Sequence, residues 1–341
     1  MVFIGLIKLL YLLIILLGDN MKKILILLLF MPIIVFAYSN KIIPGGETIG
    51  IEINNDGLIV IGLYKINDKY INNYFKIGDK IKKINGEDVY SVDDLISNIG
   101  DDVDNVEVLY ERNNKEYIDK LELVKVNDVY KTGLYIKNNT LGIGTLTYID
   151  TESNIYGALG HVINESRSGV SIDVKSGFSY DANITSFSKS RDGNPGSKNA
   201  DIDKSNIFGS ILSNSDYGIY GFVINGIDKD SMDIASLNEV KKGDAYILTS
   251  NLNNVNEYYK INILKIDFDN KDKSLYFDVV DDKLLDMSGG IVQGMSGSPI
   301  IQDNKIIGCV TRVIVNDVSK GYGISIITML EEGDKIKSLR E

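Results

Sequence analysis

Gly294-Met295-Ser296-Gly297-Ser298-Pro299 decides how this chain is read. Glycines on both sides of Ser296 allow the backbone to turn sharply and lift the hydroxyl into a cleft. They also allow successive N–H groups to point at one spot, as an oxyanion hole requires. A serine hydroxyl needs a base near neutral pKa, and histidine is the side chain that has one unperturbed. The chain contains 1 histidine, at the end of Gly157-Ala158-Leu159-Gly160-His161. If the chemistry is hydrolysis by an imidazole-assisted serine, the base is therefore His161. Either motif alone is also what a surface turn or a core histidine would look like. Together they favour hydrolysis.

Composition sets the frame. With 341 residues there is room for two or three units and a sizeable core. Apolar residues make up 44% and charged residues 24%, as in ordinary globular protein. The 32 glycines, the abundance of Ile, Val and Tyr, and recurrent Asn/Asp/Gly turns predict a mostly β fold. A net charge of −11 argues against nucleic acid and anionic membrane surfaces as partners. Cys309 is unpaired by count, and its setting in Lys305–Thr311 reads as a buried strand. One cysteine and one histidine make no structural zinc site, so neither a metal nor a cofactor is expected.

The first segment has the pattern of an export signal. Met21-Lys22-Lys23 precedes an apolar run from Ile24 to Phe36, and Val35-Phe36-Ala37 offers small residues at a cleavage site before Tyr38. The run is short for a membrane span. Residues 1–37 are thus expected to be an export signal or anchor. Residues 1–20 are either an additional anchor or lie upstream of a true start at Met21.

From 48 to 126 the chain resembles a bacterial PDZ domain. The likeness rests on the Gly78-Asp79 turn, the short strand to Asn85-Gly86, a helix capped by Ser91 with Asp94 in the capping box, and a hairpin at Asn113-Asn114. Val92, Leu95, Ile96 and Ile99 share one helical face. PDZ domains hold an extended peptide beside a helix, with a glycine loop gripping a carboxylate. Thr48, Ile49, Gly50 and Ile51 fall on that loop, which implies a PDZ peptide ligand or a self-peptide. A unit that only packs on its neighbour is the alternative.

The order His161, acid, Ser296 is that of the chymotrypsin architecture. Gly294–Pro299 also resembles the Gly-Asp-Ser-Gly-Gly-Pro of that class, with Ser296 as nucleophile and Gly294 and Ser296 as oxyanion donors. The expected fold is therefore an α+β PDZ domain followed by a chymotrypsin-like double β-barrel peptidase domain over 130–335. Candidate acids are Asp281, Asp282, Asp286, Asp201, Asp216 and Asp150, and spacing does not choose among them.

A closer resemblance covers about 40–330. Ile43-Pro44-Gly45-Gly46, Gly142-Ile143-Gly144-Thr145, Tyr156–His161, Gly289-Gly290-Ile291-Val292-Gln293-Gly294-Met295-Ser296-Gly297-Ser298-Pro299 and Gly321-Tyr322-Gly323 are similar, in order, to the stage IV sporulation protein B (SpoIVB) peptidase family. The resemblance implies His161 and Ser296 as catalytic and places the acid at Asp281, ahead of Leu284-Leu285, with Asp282 the neighbouring alternative. Thr311-Arg312-Val313 stands where members carry Thr-His-Val, a change in the wall of the substrate pocket.

The same resemblance implies a sporulation role. The peptidase would be exported into the space between the forespore membranes. There it would cut the regulatory subunit of an intramembrane protease, activating the factor sigma-K. Two other functions fit the residues: a PDZ-mediated signalling protein with little peptidase activity, and an envelope quality-control protease.

Overall fold

The computed structural model describes residues 39–340 apart from 102 and 227. The expected export signal over 1–37 lies outside them. The frame of the molecule is a ribbon of two long antiparallel strands, Thr48–Leu63 and Leu134–Asp150. They pair from Thr48↔Thr145 to Leu63↔Leu134. Along the first part of the ribbon Ile49, Ile51 and Ile53 alternate into a core shared with Leu146, Tyr156 and Phe208. Beyond it Leu58 and Val60 enter a different core, with Phe75, Ile81, Leu95 and Val108. The inward set changes from odd to even numbers because the register shifts between Asn54 and Ile59. A shift in register sends side chains to the opposite face, so one strand serves two cores.

The second core is the PDZ unit. It joins the ribbon end to strand Lys80–Ile84, helix α1 (Val92–Ile99) and the hairpin Asn105–Arg112/Lys115–Glu122. Asn113 and Asn114 both take positive φ, 52° and 59°, as a tight hairpin turn requires. The Ser91–Asp94 capping box forms as expected. The apolar face of α1 is narrower than its spacing predicts: Leu95 and Ile99 are buried, while Val92 and Ile96 are exposed. Asp79 is buried and accepts two bonds from the Arg112 guanidinium, at 2.6 and 2.5 Å. That forked pairing is what lets a carboxylate sit inside the unit.

Two expectations need correction here. Residues 41–55 belong to the peptidase sheet, so the PDZ unit does not begin at 48 and is inserted between the two halves of the ribbon. Thr48, Ile49, Gly50 and Ile51 are not a carboxylate-binding loop. They are strand, paired on one edge with Gly142–Thr145 and, for Ile49–Ile51, on the other with Ser179–Asp181. A backbone paired on both edges has no N–H groups left for a ligand.

The peptidase domain has two parts. The half-barrel is built from the ribbon, Ile155–Ala158, Gly218–Phe222 and the hairpin Val174–Ser188/Ser197–Ser210. The other part is a closed barrel of Gly243–Ser250, Asn256–Ile266, Leu275–Val279, Asp317–Ser325, Lys305–Ile314 and Pro299–Gln302. Its interior is apolar, with Ile247, Ile261, Phe277, Ile300 and Val310 fully buried. Helix α2 (Asp282–Ser288) precedes the nucleophile loop, and helix α3 (Ile326–Asp334) closes the C-terminal side against Tyr148 and Tyr220. Cys309 is packed there, its thiol pushed up to about 12 by burial, so it is a core residue and no nucleophile.

Gly50 has little room for a side chain. A Cβ there would meet the Ile202 side chain at 2.4 Å. Gly50→Val should therefore lower the melting temperature, at a cost of about 1–3 kcal/mol for overpacking. Unchanged thermal unfolding would show that Ile202 can move aside.

Candidate active site

Ser296 lies in the loop between α2 and strand Pro299–Gln302. Gly294 and Gly297 have φ of +93° and +96°. At Gly297 a Cβ would lie 2.1 Å from the Thr145 carbonyl oxygen, so the loop presses directly on the ribbon. Backbone bonds fix it: Met295 N–H donates to Val292 O at 3.1 Å, Gly297 N–H to Val310 O at 2.7 Å, Ser298 N–H to Met295 O at 3.0 Å, and Thr145 N–H to Ser296 O at 3.0 Å. The N–H groups of Gly294 and Ser296 are left over, with no acceptor among the described residues. In a loop so fully bonded, two unpaired donors flanking one residue form a place for a negative oxygen. Ser288 is a different kind of residue, buried with its Oγ 2.9 Å from Leu284 O and 2.6 Å from Gly290 O, so its one proton stays on main-chain carbonyls.

His161 follows strand Ile155–Ala158 through a turn in which Leu159 and Gly160 both have φ of 70°. Its Nδ1 lies 2.9 Å from the Val162 carbonyl oxygen. A carbonyl only accepts, so the proton is on Nδ1 and Nε2 carries the lone pair. Burial lowers the imidazole pKa below its ordinary value, the Val162 bond acts in the opposite sense, and the positive charge of Arg312 lowers it further. The base thus stays neutral into mildly acidic solution.

The structure brings His161, Ser296 and Gly294 to one cavity of about 410 Å³. Its walls mix apolar residues, Ile51, Leu141, Ile143 and Ile163 among them, with polar ones such as Lys137, Asn164 and Gln293. The Thr140 hydroxyl is buried in this wall and has no hydrogen-bond partner among the described residues. A larger hollow of about 570 Å³, lined by Lys229, Asp233 and Asn256, contains neither Ser296 nor His161. Ser296 Oγ itself donates to the Thr311 carbonyl at 2.8 Å, so in this conformation its proton is not yet on the imidazole side.

Asp281 makes no hydrogen bond to His161 in this structure, so the expected triad is not seen assembled. Its Oδ1 caps α2, accepting from Lys283 N–H at 3.0 Å and Leu284 N–H at 3.3 Å. Its Oδ2 accepts from Lys260 N–H at 3.0 Å. Asp282 is exposed on the first turn of α2, and no carboxylate among the described residues hydrogen-bonds the imidazole. The group that meets the imidazole Nδ1 here is the Val162 carbonyl. Sequence reasoning could not find it, or the Thr311 carbonyl, because main-chain acceptors leave no residue-type signal. The capping role of Asp281 did have one, an Asp directly ahead of the Asp282-Lys283-Leu284-Leu285 helical turn.

The fold and site define a serine peptidase. The family model for SpoIVB peptidase S55 matches residues 128–330, and the chain belongs to that family. Among solved structures, the active form of the Rv3671c protease from M. tuberculosis shares 12% identity over 57% of this chain and 73% of that chain, with a TM-score of 0.32. Its inactive form shares 13% identity over 56% and 83%, with a TM-score of 0.30. The PDZ domain of the SdrC-like protein from Listeria monocytogenes shares 22% identity over 25% of this chain and 90% of that domain, with a TM-score of 0.22. No curated protein matches the chain.

Removing the Arg312 charge should let the imidazolium form more easily. In Arg312→Gln the acid limb of the kcat/KM profile should therefore move to higher pH, as measured with a peptide substrate. An unmoved limb would mean that the charge is screened from His161.

Proposed function

We propose that this chain is an exported serine endopeptidase in which Ser296 is the nucleophile and His161 the general base. The N–H groups of Gly294 and Ser296 form the oxyanion hole. The observation that carries this reading is the pair of unbonded N–H groups at Gly294 and Ser296, residues that line the same cavity as His161. Attack begins when Ser296 Oγ leaves the Thr311 carbonyl and gives its proton to Nε2 of His161. The oxygen of the substrate carbonyl then gains charge between the two N–H groups. His161 returns the proton to the leaving amine, and water clears the acyl-enzyme. The Val162 carbonyl fixes the tautomer, the task that an acid performs in a triad.

The physiological reading follows family membership and the N-terminal pattern. The substrate is a regulatory subunit that restrains an intramembrane protease, cut between the forespore membranes to trigger sigma-K activation.

The test is labelling with a fluorophosphonate followed by peptide mapping. Wild type should be modified at Ser296, and Ser296→Ala should not be. His161→Ala should lose about four or more orders of magnitude in cleavage rate. A wild-type protein that stays unlabelled would remove the peptidase assignment of Ser296. For Asp281 the geometry predicts a cap: Asp281→Ala should cost about 1 kcal/mol of stability while Asp281→Asn costs little. Cleavage by Asp281→Asn should stay within about tenfold of wild type, whereas loss of a triad acid costs about ten-thousandfold. A folded but inactive Asp281→Asn would restore the carboxylate to the catalytic set.

A further inference from the structure

Lys198 is a buried cation behind the nucleophile loop, and the mechanism above makes no use of it. The segment 188–199 reads in sequence as a polar loop, but its end is the start of strand Ser197–Ser210. There the Lys198 side chain turns inward and is 3% exposed. Its Nζ donates to Thr249 Oγ1 at 2.8 Å and to Thr48 Oγ1 and Thr145 Oγ1, each at 3.4 Å. Thr48 and Thr145 belong to the ribbon and Thr249 to the closed barrel. An ammonium has three protons and no acceptor, so a cage of three hydroxyl oxygens matches it. Burial is the influence that shifts this amine, taking it down to about 7, and no carboxylate offsets it.

Lys198 acts on two consecutive peptide planes of the loop. Its own N–H donates to the Gln293 carbonyl at 2.8 Å. A trans peptide is planar, so that bond points the Gly294 N–H the opposite way. The next plane is held from the side chain. Thr145 Oγ1 donates to the Gly294 carbonyl at 2.6 Å, and with its proton spent there its oxygen accepts from Nζ. The Lys198 stem runs against Gly294, its Cβ 3.1 Å from where a Gly294 Cβ would stand. On the far side of Ser296, Ser298 Oγ donates to Thr249 Oγ1 at 3.1 Å. Hydrogen bonds that meet at the Lys198 ammonium therefore reach both shoulders of the nucleophile.

A desolvated cation without a counter-ion is costly, and an apolar side chain of equal length would fill the same space without that cost. We propose that Lys198 is a positioning residue for the reaction at Ser296. Through Thr145 it holds the Gly294 carbonyl toward the interior and keeps the Gly294 and Ser296 N–H groups aimed at one point. This rests on the peptidase reading of Ser296. The groups facing Nζ from the ribbon, the closed barrel and the nucleophile loop are hydroxyls and main chain, so its own proton is what titrates. The protonated form holds the cage, and it is lost as pH rises through about 7. Activity should accordingly show an alkaline limb from Lys198 in addition to the acid limb from His161.

The experiment is fluorophosphonate labelling of the full chain, with kinact and KI measured across pH and folding checked by thermal melting. Lys198→Met and Thr145→Val should each lower kinact by about tenfold or more, with KI changed by less than about twofold, as expected when an oxyanion donor is misaimed. The alkaline limb should be absent from Lys198→Met. If Lys198→Met does not fold, Thr145→Val decides, since it deletes only the hydroxyl between Nζ and the Gly294 carbonyl. Folded variants labelled as fast as wild type would overturn the proposal. Wild type that takes no label would overturn the peptidase reading first, and this proposal with it.

Discussion

The pairing of Thr48–Leu63 with Leu134–Asp150 is the constraint on which the rest of the molecule is built. Its Thr145 end carries the floor of the nucleophile loop, and its Leu63 end carries the PDZ core. Gly297 can turn only because it has no side chain to strike the Thr145 carbonyl. Ser296 in turn accepts the Thr145 N–H. The catalytic loop is thus docked on the same two strands that the PDZ unit interrupts. Burial on both sides sets their register, since a slip by one residue would turn Ile49, Ile51 and Ile53 away from the core.

Around that dock the site is held more by main chain than by side chains. The imidazole leans on one carbonyl, the serine hydroxyl on another, and two N–H groups stand unbonded between them. Carbonyls are neutral and do not titrate, so the arrangement keeps its tautomer across a wide pH range. Ionisable groups enter from the edges: Arg312 acts on His161 through space, and Lys198 lies behind the loop.

The parts of this organisation that are legible in sequence depend on local backbone chemistry. Glycines at 294 and 297 announce a turn that other residues resist, and Asn113-Asn114 announces a hairpin for the same reason. Ser91 with Asp94 announces the start of α1. The mostly β class follows from β-branched and aromatic content. The features that were missed depend on partners distant in sequence. Ile49, Ile51 and Ile53 alternate as a strand does, yet their glycine-bearing context and the PDZ likeness pointed to a loop. Only the pairing with Ser179–Asp181 shows otherwise. Asp281 and Asp282 looked like neighbours on an extended segment, but the chain turns into α2 between them. Lys198 looked like one more charge in a polar stretch, because nothing in its neighbours tells of three threonines brought from elsewhere.

The insertion of the PDZ unit into the ribbon has a consequence for how this chain can be divided. In a protein assembled as beads on a string, a cut between beads leaves each one whole. A cut near residue 128 here would strip the half-barrel of the strand Thr48–Leu63 and leave Leu134–Asp150 and Val174–Ser188 as bare edges. Unpaired edges of that length recruit other chains and aggregate. The peptidase and its PDZ unit are therefore one inheritable and one expressible object, and the segment at 41–55 is as much a part of the enzyme as the loop that bears its serine.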